Sequence, residues 1–188
     1  MPKLSVFNNV TLDGFFTGEN GDFSWGHLAK PDKEFDAFVA GNAQGEGRLL
    51  FGRITYEMMA GYWPTAMAAK DYPVVAKGMN ARSKVVFSKT LENASWNNTK
   101  LVKGDLVKEV KKMKKDSGKD IVILGSGMIV SQLAQAGLID VYQVVVNPVV
   151  IGKGRTMFDG LKKTISLKLM NSRTFKNGKV FLTYKPLN

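Results

Sequence analysis

Hydrophobic positions along this chain fall into two alternating kinds of run. Short runs with the period of two or the β-branched density of a strand are Leu4–Val10, Arg48–Gly52, Lys84–Thr90, Leu101-Val102, Ile121–Leu124 and Val141–Pro148. Between them lie stretches with helical spacing. Pro31-Asp32-Lys33-Glu34 opens one that carries Phe35, Phe38 and Val39 on one side, and Arg53–Met59 opens another that closes at Tyr62-Trp63-Pro64. Ala66–Met79 is loosely helical or looped. Asp105 caps a helix with Leu106, Val110 and Met113 at i, i+4 and i+7, with Val107 beside them. Met128–Ala136 places Ile129, Leu133 and Ala136 together and stops at Gly137. The chain ends in a hairpin, Leu167–Met170 against Lys179–Tyr184, turned at Asn177-Gly178. Strands alternating with helices predict an α/β fold with a mostly parallel, mixed central sheet. The final strands add an antiparallel edge.

No repeat, linker or low-complexity segment interrupts this order, so residues 1–188 are expected to form a single domain. The absence of cysteine removes disulfides, thiolate catalysis and cysteine metal sites, and the single histidine, His27, rules out a multi-histidine metal centre. No metal is expected. No apolar run is long enough to span a bilayer, and the first residues lack the apolar core of a signal peptide; a cytoplasmic location and no membrane partner follow as expectations. The formal net charge of +11 allows an anionic partner. Much of it lies in Lys103–Lys119, where Lys108, Lys111, Lys112, Lys114 and Lys115 are expected to form the solvated face of the helix at 105–117. Nucleic acid is the other reading of that face, and it lacks the interleaved aromatic residues that such binding uses.

Candidate chemistry collects where strands run into helices through glycine. Ile121–Leu124 passes through Gly125-Ser126-Gly127 into a helix, which aims free backbone N–H groups and a positive helix end at one point. A phosphate site and an ordinary connection both fit, and Val130 stands where the third glycine of a dinucleotide-binding fingerprint would be. Gly52-Arg53 with Thr55 repeats the arrangement, and Ser88-Lys89-Thr90 gives a third polar, basic strand exit. In a parallel sheet these exits share one edge, the edge where α/β proteins bind ligands.

Leu49–Glu57, Val85–Lys89 and Ile123–Gly127 resemble the successive motifs of the dihydrofolate reductase-like superfamily. Thr11-Leu12-Asp13-Gly14 and Asn147–Phe158 are similar to one branch of it, the riboflavin-biosynthesis reductase domain and its stand-alone bacterial relatives. The likeness runs in matching order from about Leu4 to Tyr184. It implies a three-layer α/β/α fold, a homodimer, and NADPH as cofactor. Gly52, Arg53 and Thr55 would meet the cofactor's phosphates, Ser88 and Lys89 the 2′-phosphate, and Gly125, Ser126, Gly127 and Met128 the pyrophosphate. Val10, Thr11 and Gly14 would line the nicotinamide pocket.

The resemblance implies a reductase that passes hydride to a small pteridine- or pyrimidine-type molecule, such as a phosphoribosylamino-pyrimidine. Asp13 is the first candidate for an active-site role, although an acid that fixes its own turn reads the same way. Asp32, Glu34 and Asp36 offer carboxylates on the first helix, and no spacing singles one out. Trp25 and Trp63 can stack on a flat ring or simply fill core. His27 is a proton donor only if it has a partner. A non-catalytic NADP(H)-binding module is the alternative within this fold, and a nucleic-acid-binding protein built on the lysine helix the alternative outside it.

Overall fold

The computed structural model describes residues 1–116 and 118–187. Its strands are β1 (Leu4–Thr11), β2 (Arg48–Gly52), β3 (Lys84–Phe87), β4 (Thr99–Val102), β5 (Ile121–Leu124), β6 (Val141–Asn147), β7 (Leu167–Thr174) and β8 (Val180–Pro186). They form one sheet in the order β4-β3-β2-β5-β1-β6-β8-β7. The first six strands in that order are parallel, β8 is antiparallel to β6, and β7 is antiparallel to β8. The helices are α1 (Lys33–Ala43), α2 (Arg53–Tyr62), α3 (Ala66–Asp71), α4 (Pro73–Ala81), α5 (Leu106–Lys115) and α6 (Gly127–Gln135).

Strand side chains alternate between two covered faces, as a parallel sheet with helices on both sides requires. Leu50, Val85, Ile121 and Ile123 pack with Val110 of α5 and with Ile129 and Leu133 of α6. Their neighbours Leu49, Phe51 and Val86 point the other way, onto Tyr56 of α2, Val75 and Met79 of α4, and Trp96. Phe35 and Phe38 of α1 join Val145, Phe175 and Phe181 on that second face. Burial of each such side chain contributes roughly 1.5–3 kcal/mol, so the alternation fixes which residues emerge at the strand ends. Among the described residues no helix is long and apolar enough to cross a membrane.

Several elements differ from the sequence expectation. Ala66–Met79 is two helices, because Thr65 caps α3 through the Ala68 amide and Pro73 starts α4 at its first turn. The third strand stops at Phe87, where the Ser88 hydroxyl takes the amides of Thr90 and Leu91 and turns the chain out of the sheet. Asp105 caps α5 as expected, through the Lys108 amide. Lys114, however, leaves the solvated face: its ammonium binds the Leu138 carbonyl at 2.9 Å and the Asp140 carboxylate at 2.6 Å. Ser117, the last position of the expected basic helix, lies outside the described residues.

Lys84 is the main electrostatic oddity of the fold. It is 1% exposed, and its ammonium donates to the carbonyls of Asn80, Arg82 and Asn97 and sits 4.5 Å from the centre of the Trp96 ring. Burial, helped by the nearby Arg82 charge, lowers its pKa to about 8 from an ordinary 10.5. Between those values the unfolded chain holds a proton that the folded chain releases, so stability rises with pH across that window. The urea midpoint of the parent should therefore climb from pH 8 to pH 10 relative to that of Lys84→Met. Parallel pH profiles for the two proteins would contradict the assignment.

Candidate active site

The carboxyl ends of β3, β2, β5, β1 and β6 lie side by side, and at about 4.8 Å per strand they span roughly 19 Å of one sheet edge. Ser88 and Lys89 leave β3, Gly52 and Arg53 leave β2, and Gly125–Met128 leave β5. Thr11–Gly14 leave β1, and Asn147 ends β6. The N-termini of α2 and α6 open on this edge, and the first-turn amides of each helix lack intrahelical partners.

The β2 and β5 exits are tied to each other. Ser126 Oγ accepts from the Gly52 amide at 2.9 Å and donates to the Leu124 carbonyl at 3.1 Å, while the Ser126 amide donates to Thr55 Oγ1 at 3.1 Å. Gly125 and Ser126 both adopt left-handed backbone, φ +59° and +58°, which a serine holds only when its surroundings insist. Asn8 completes the turn by accepting from the Gly125 amide and donating to the Gly125 carbonyl. A β-carbon on Gly125 would stand 2.8 Å from Thr55 Cγ2, and one on Gly127 would stand 2.7 Å from the Phe16 ring. These glycines are demanded by packing as well as by any ligand that approaches the backbone.

The structure thus brings Gly52, Thr55, Gly125 and Ser126 together where β2 and β5 run into their helices, with Gly127 next in chain against Phe16 and Met128 exposed beside it. The hydroxyls of Ser126 and Thr55 are engaged inside the protein, so the donors left facing outward are amides of the helix ends. Arg53 pairs with Glu57 at 2.9 Å on the exposed side of α2. Ser88 is occupied with its own turn, and Lys89 is exposed beside it. Val10 and Thr11 are buried at the end of β1. Thr11 and Phe15 close the following turn through two hydrogen bonds, with Gly14 at φ +88° inside it.

Asp13 projects from that turn and accepts from the amides of Gly152 at 2.8 Å and Ile151 at 3.2 Å. The Thr11 side chain first, then the two amides, hold its carboxyl below the usual range. Its visible work is to clamp the loop after β6 onto the loop after β1. Asp32 is similarly engaged: it caps α1 through the amides of Glu34 and Phe35, and its second oxygen accepts from Asn177 at 3.1 Å. Burial raises its pKa, but the amide donors outweigh this and the net shift is downward. Trp63 donates to Met59 Sδ and packs within the α2–α4 region. His27 is exposed, edge-on to Phe23.

Trp25 is 3% exposed, and its Nε1 has no hydrogen-bond partner. Asn147 and Lys179, which the sequence does not single out as site residues, share one face of the sheet. Asn147 is 2% exposed: its Nδ2 donates to Asn9 Oδ1 and to the carbonyls of Val10 and Val145, while its Oδ1 is unpartnered. Lys179 is 6% exposed, donates to the Gly26 carbonyl at 3.2 Å and lies 4.3 Å from the centre of the Phe35 ring. Burial lowers its pKa, and the charge of Asp36 offsets part of that. Asn8 had a legible signal, a polar residue between Val6 and Val10 on the core face of β1; Lys179 reads only as the first residue of the final strand.

Known proteins place this geometry. The family model for the RibD C-terminal domain matches residues 2–181. The uncharacterized protein YyaP of Bacillus subtilis (strain 168) is 33% identical over 175 residues, covering 93% of this chain and 90% of YyaP. A crystal structure from Shewanella sp. PV-4, provisionally designated a riboflavin biosynthesis protein, superposes with a TM-score of 0.80 at 21% identity and covers 99% of both chains. Dihydrofolate reductase from Enterococcus faecalis, complexed with NADP(H), gives a TM-score of 0.63 at 15% identity over 99% of this chain and 97% of its own.

The close approach of Phe16 to the start of α6 depends on the missing β-carbon of Gly127. Gly127→Ala should destabilise the fold by roughly 1–3 kcal/mol through contact with Phe16, and Phe16→Leu should recover much of that loss in urea unfolding. Equal stability of Gly127→Ala and the parent would contradict the packing described.

Proposed function

Because the chain belongs to the RibD C-terminal domain family, we propose that it is an NADPH-dependent reductase of a small pyrimidine- or pteridine-type heterocycle. The observation that carries this reading is the line of strand exits from β3 to β1, with two helix N-termini and two exposed cations along it. An extended, multiply phosphorylated cofactor fits that line. The first-turn amides of both helices suit phosphate oxygens, and glycine at 52 and 125 keeps the backbone at the two helix starts free of side chains. Arg53 and Lys89 flank the β2 and β3 exits where the 2′-phosphate would lie.

When bound, NADPH supplies the hydride. The chain's part is alignment and exclusion of water. Thr11–Gly14, pinned to the loop after β6 by Asp13, forms the wall of the nicotinamide end. Phe16, packed against Gly127, lies beside that end. Asp13 acts here as a positioning residue: its carboxylate is spent on amides and stays ionised. Neither a dimer nor a cytoplasmic location bears on this chemistry.

Titration of the purified protein with NADPH and NADH, followed by calorimetry or nicotinamide fluorescence, tests the reading. NADPH should bind at least about tenfold more tightly than NADH, Lys89→Ala should narrow that preference while leaving NADH affinity nearly unchanged, and Arg53→Ala should weaken NADPH. Failure of both nucleotides to bind at physiological salt would overturn it. The lysine helix would then be the next surface to test, through the salt dependence of nucleic-acid affinity.

A further inference from the structure

The amino ends of the strands carry a second concentration of charge, roughly 16 Å along β2 from the exits described above. A cavity of about 530 Å³ opens there between the last turns of α1 and α4, lined by Glu46, Arg82, Ser83, Asn98 and Lys119 among others. Two glycines shape it. A β-carbon on Gly78 would collide with the Ala43 carbonyl, so glycine lets the ends of the two helices touch. One on Gly47 would stand 3.0 Å from Arg82 Nη2, so the loop between α1 and β2 runs tight against the guanidinium.

The charges at this end do not balance. The C-terminal ends of α1 and α4 each present roughly half a negative charge. Two cations answer them. Arg82 donates from Nε to the Gly47 carbonyl at 2.6 Å and from Nη1 to the Asn42 carbonyl at 3.4 Å, while the Lys84 ammonium donates to the carbonyls of Asn80, Arg82 and Asn97. Two full charges against two halves leave an excess of about one positive charge. The lining carboxylate, Glu46, does not cancel it, because it pairs with Lys119 at 3.1 Å. Asp120, next in chain, accepts from the Lys3 amide. Among the described residues no carboxylate lies within ion-pair distance of Arg82, and burial lowers its pKa. Of its five N–H groups, those two carbonyls use two.

We propose that this cavity is a binding site for a phosphate group, free or carried by a small molecule. The fork of Arg82 suits two oxygens of one phosphate. Lys119 supplies the second cation: its pair with Glu46 is exposed, at 62% and 82% for the two side chains, so an arriving anion replaces Glu46 at little cost. The volume leaves room for a substituent on the phosphate. The site shares no residue with the strand exits, and it stands whether or not the chain is a reductase.

The test is titration of the isotopically labelled full-length protein with sodium phosphate at constant ionic strength, followed by amide chemical shifts. Saturable shifts should appear at residues 45–47 and at Arg82, Ser83 and Lys119. Arg82→Met should weaken phosphate there by about tenfold or more, the loss of a charge-assisted pair, and Arg82→Lys should restore part of it. Should Arg82→Met not fold, two exposed positions keep the test open. Lys119→Gln should weaken phosphate by about two- to fivefold, and Glu46→Gln, which frees Lys119, should tighten it by a similar factor. A purely structural ion pair predicts no such opposed effects. Glycerol 3-phosphate binding more tightly than inorganic phosphate would assign the site to a phosphorylated molecule, and the reverse order to free phosphate; either order upholds the site. Absence of saturable shifts at those amides, shifts confined to the starts of α2 and α6, or an affinity indifferent to folded Arg82, Lys119 and Glu46 variants would each overturn the proposal.

Discussion

One serine side chain holds the candidate site together. The Ser126 hydroxyl receives the Gly52 amide and gives its proton to the Leu124 carbonyl, while the Ser126 amide is held by Thr55. Through these three bonds the turn from β5 into α6 and the turn from β2 into α2 become one rigid unit. The cost is a left-handed serine, on the order of 1 kcal/mol, and the hydrogen bonds offset it. The direction of both helix N-termini and the need for glycine at 125 follow from that junction.

A second, looser junction lies at the other end of the same edge. Asp13 ties the loop after β1 to the amides of Ile151 and Gly152, and an isolated bridge between Thr17 and Arg155 extends the tie. The two junctions divide the edge by chemistry. Toward β3 and β2 the exits are basic, glycine-rich and open, which suits a phosphorylated chain. Toward β6 and β8 the edge is buried and polar, with Asn147 and Lys179 opposite each other.

Much of this was legible in the sequence. The alternation of Leu49, Leu50 and Phe51 and the helical spacing of Ile129 and Leu133 suffice for a covered parallel sheet, and the glycines at 52, 125 and 127 mark where strands become helices. The hairpin turn at Asn177-Gly178 was also plain. What the sequence hides is how polar side chains are used once the chain folds. Ser88, Ser126 and Thr55 resemble phosphate ligands in a list of residues, yet each spends its hydroxyl on a turn or a neighbouring strand exit. Asp32 resembles a substrate carboxylate and is a helix cap bonded to a turn 145 residues away. Lys114 resembles a solvated lysine and is drawn to Asp140. Such choices are made by tertiary neighbours, which no local spacing reveals.

The central claim is that a nucleotide lies along the β3–β2–β5–β1 edge and nowhere else. Amide chemical-shift mapping of the isotopically labelled protein during NADP+ titration addresses it most directly. The account predicts saturable shifts at Arg53–Thr55, Ser88–Lys89, Gly127–Met128 and Thr11–Gly14, with α5 unmoved. Shifts concentrated on the lysines of α5, with those four segments silent, would contradict it.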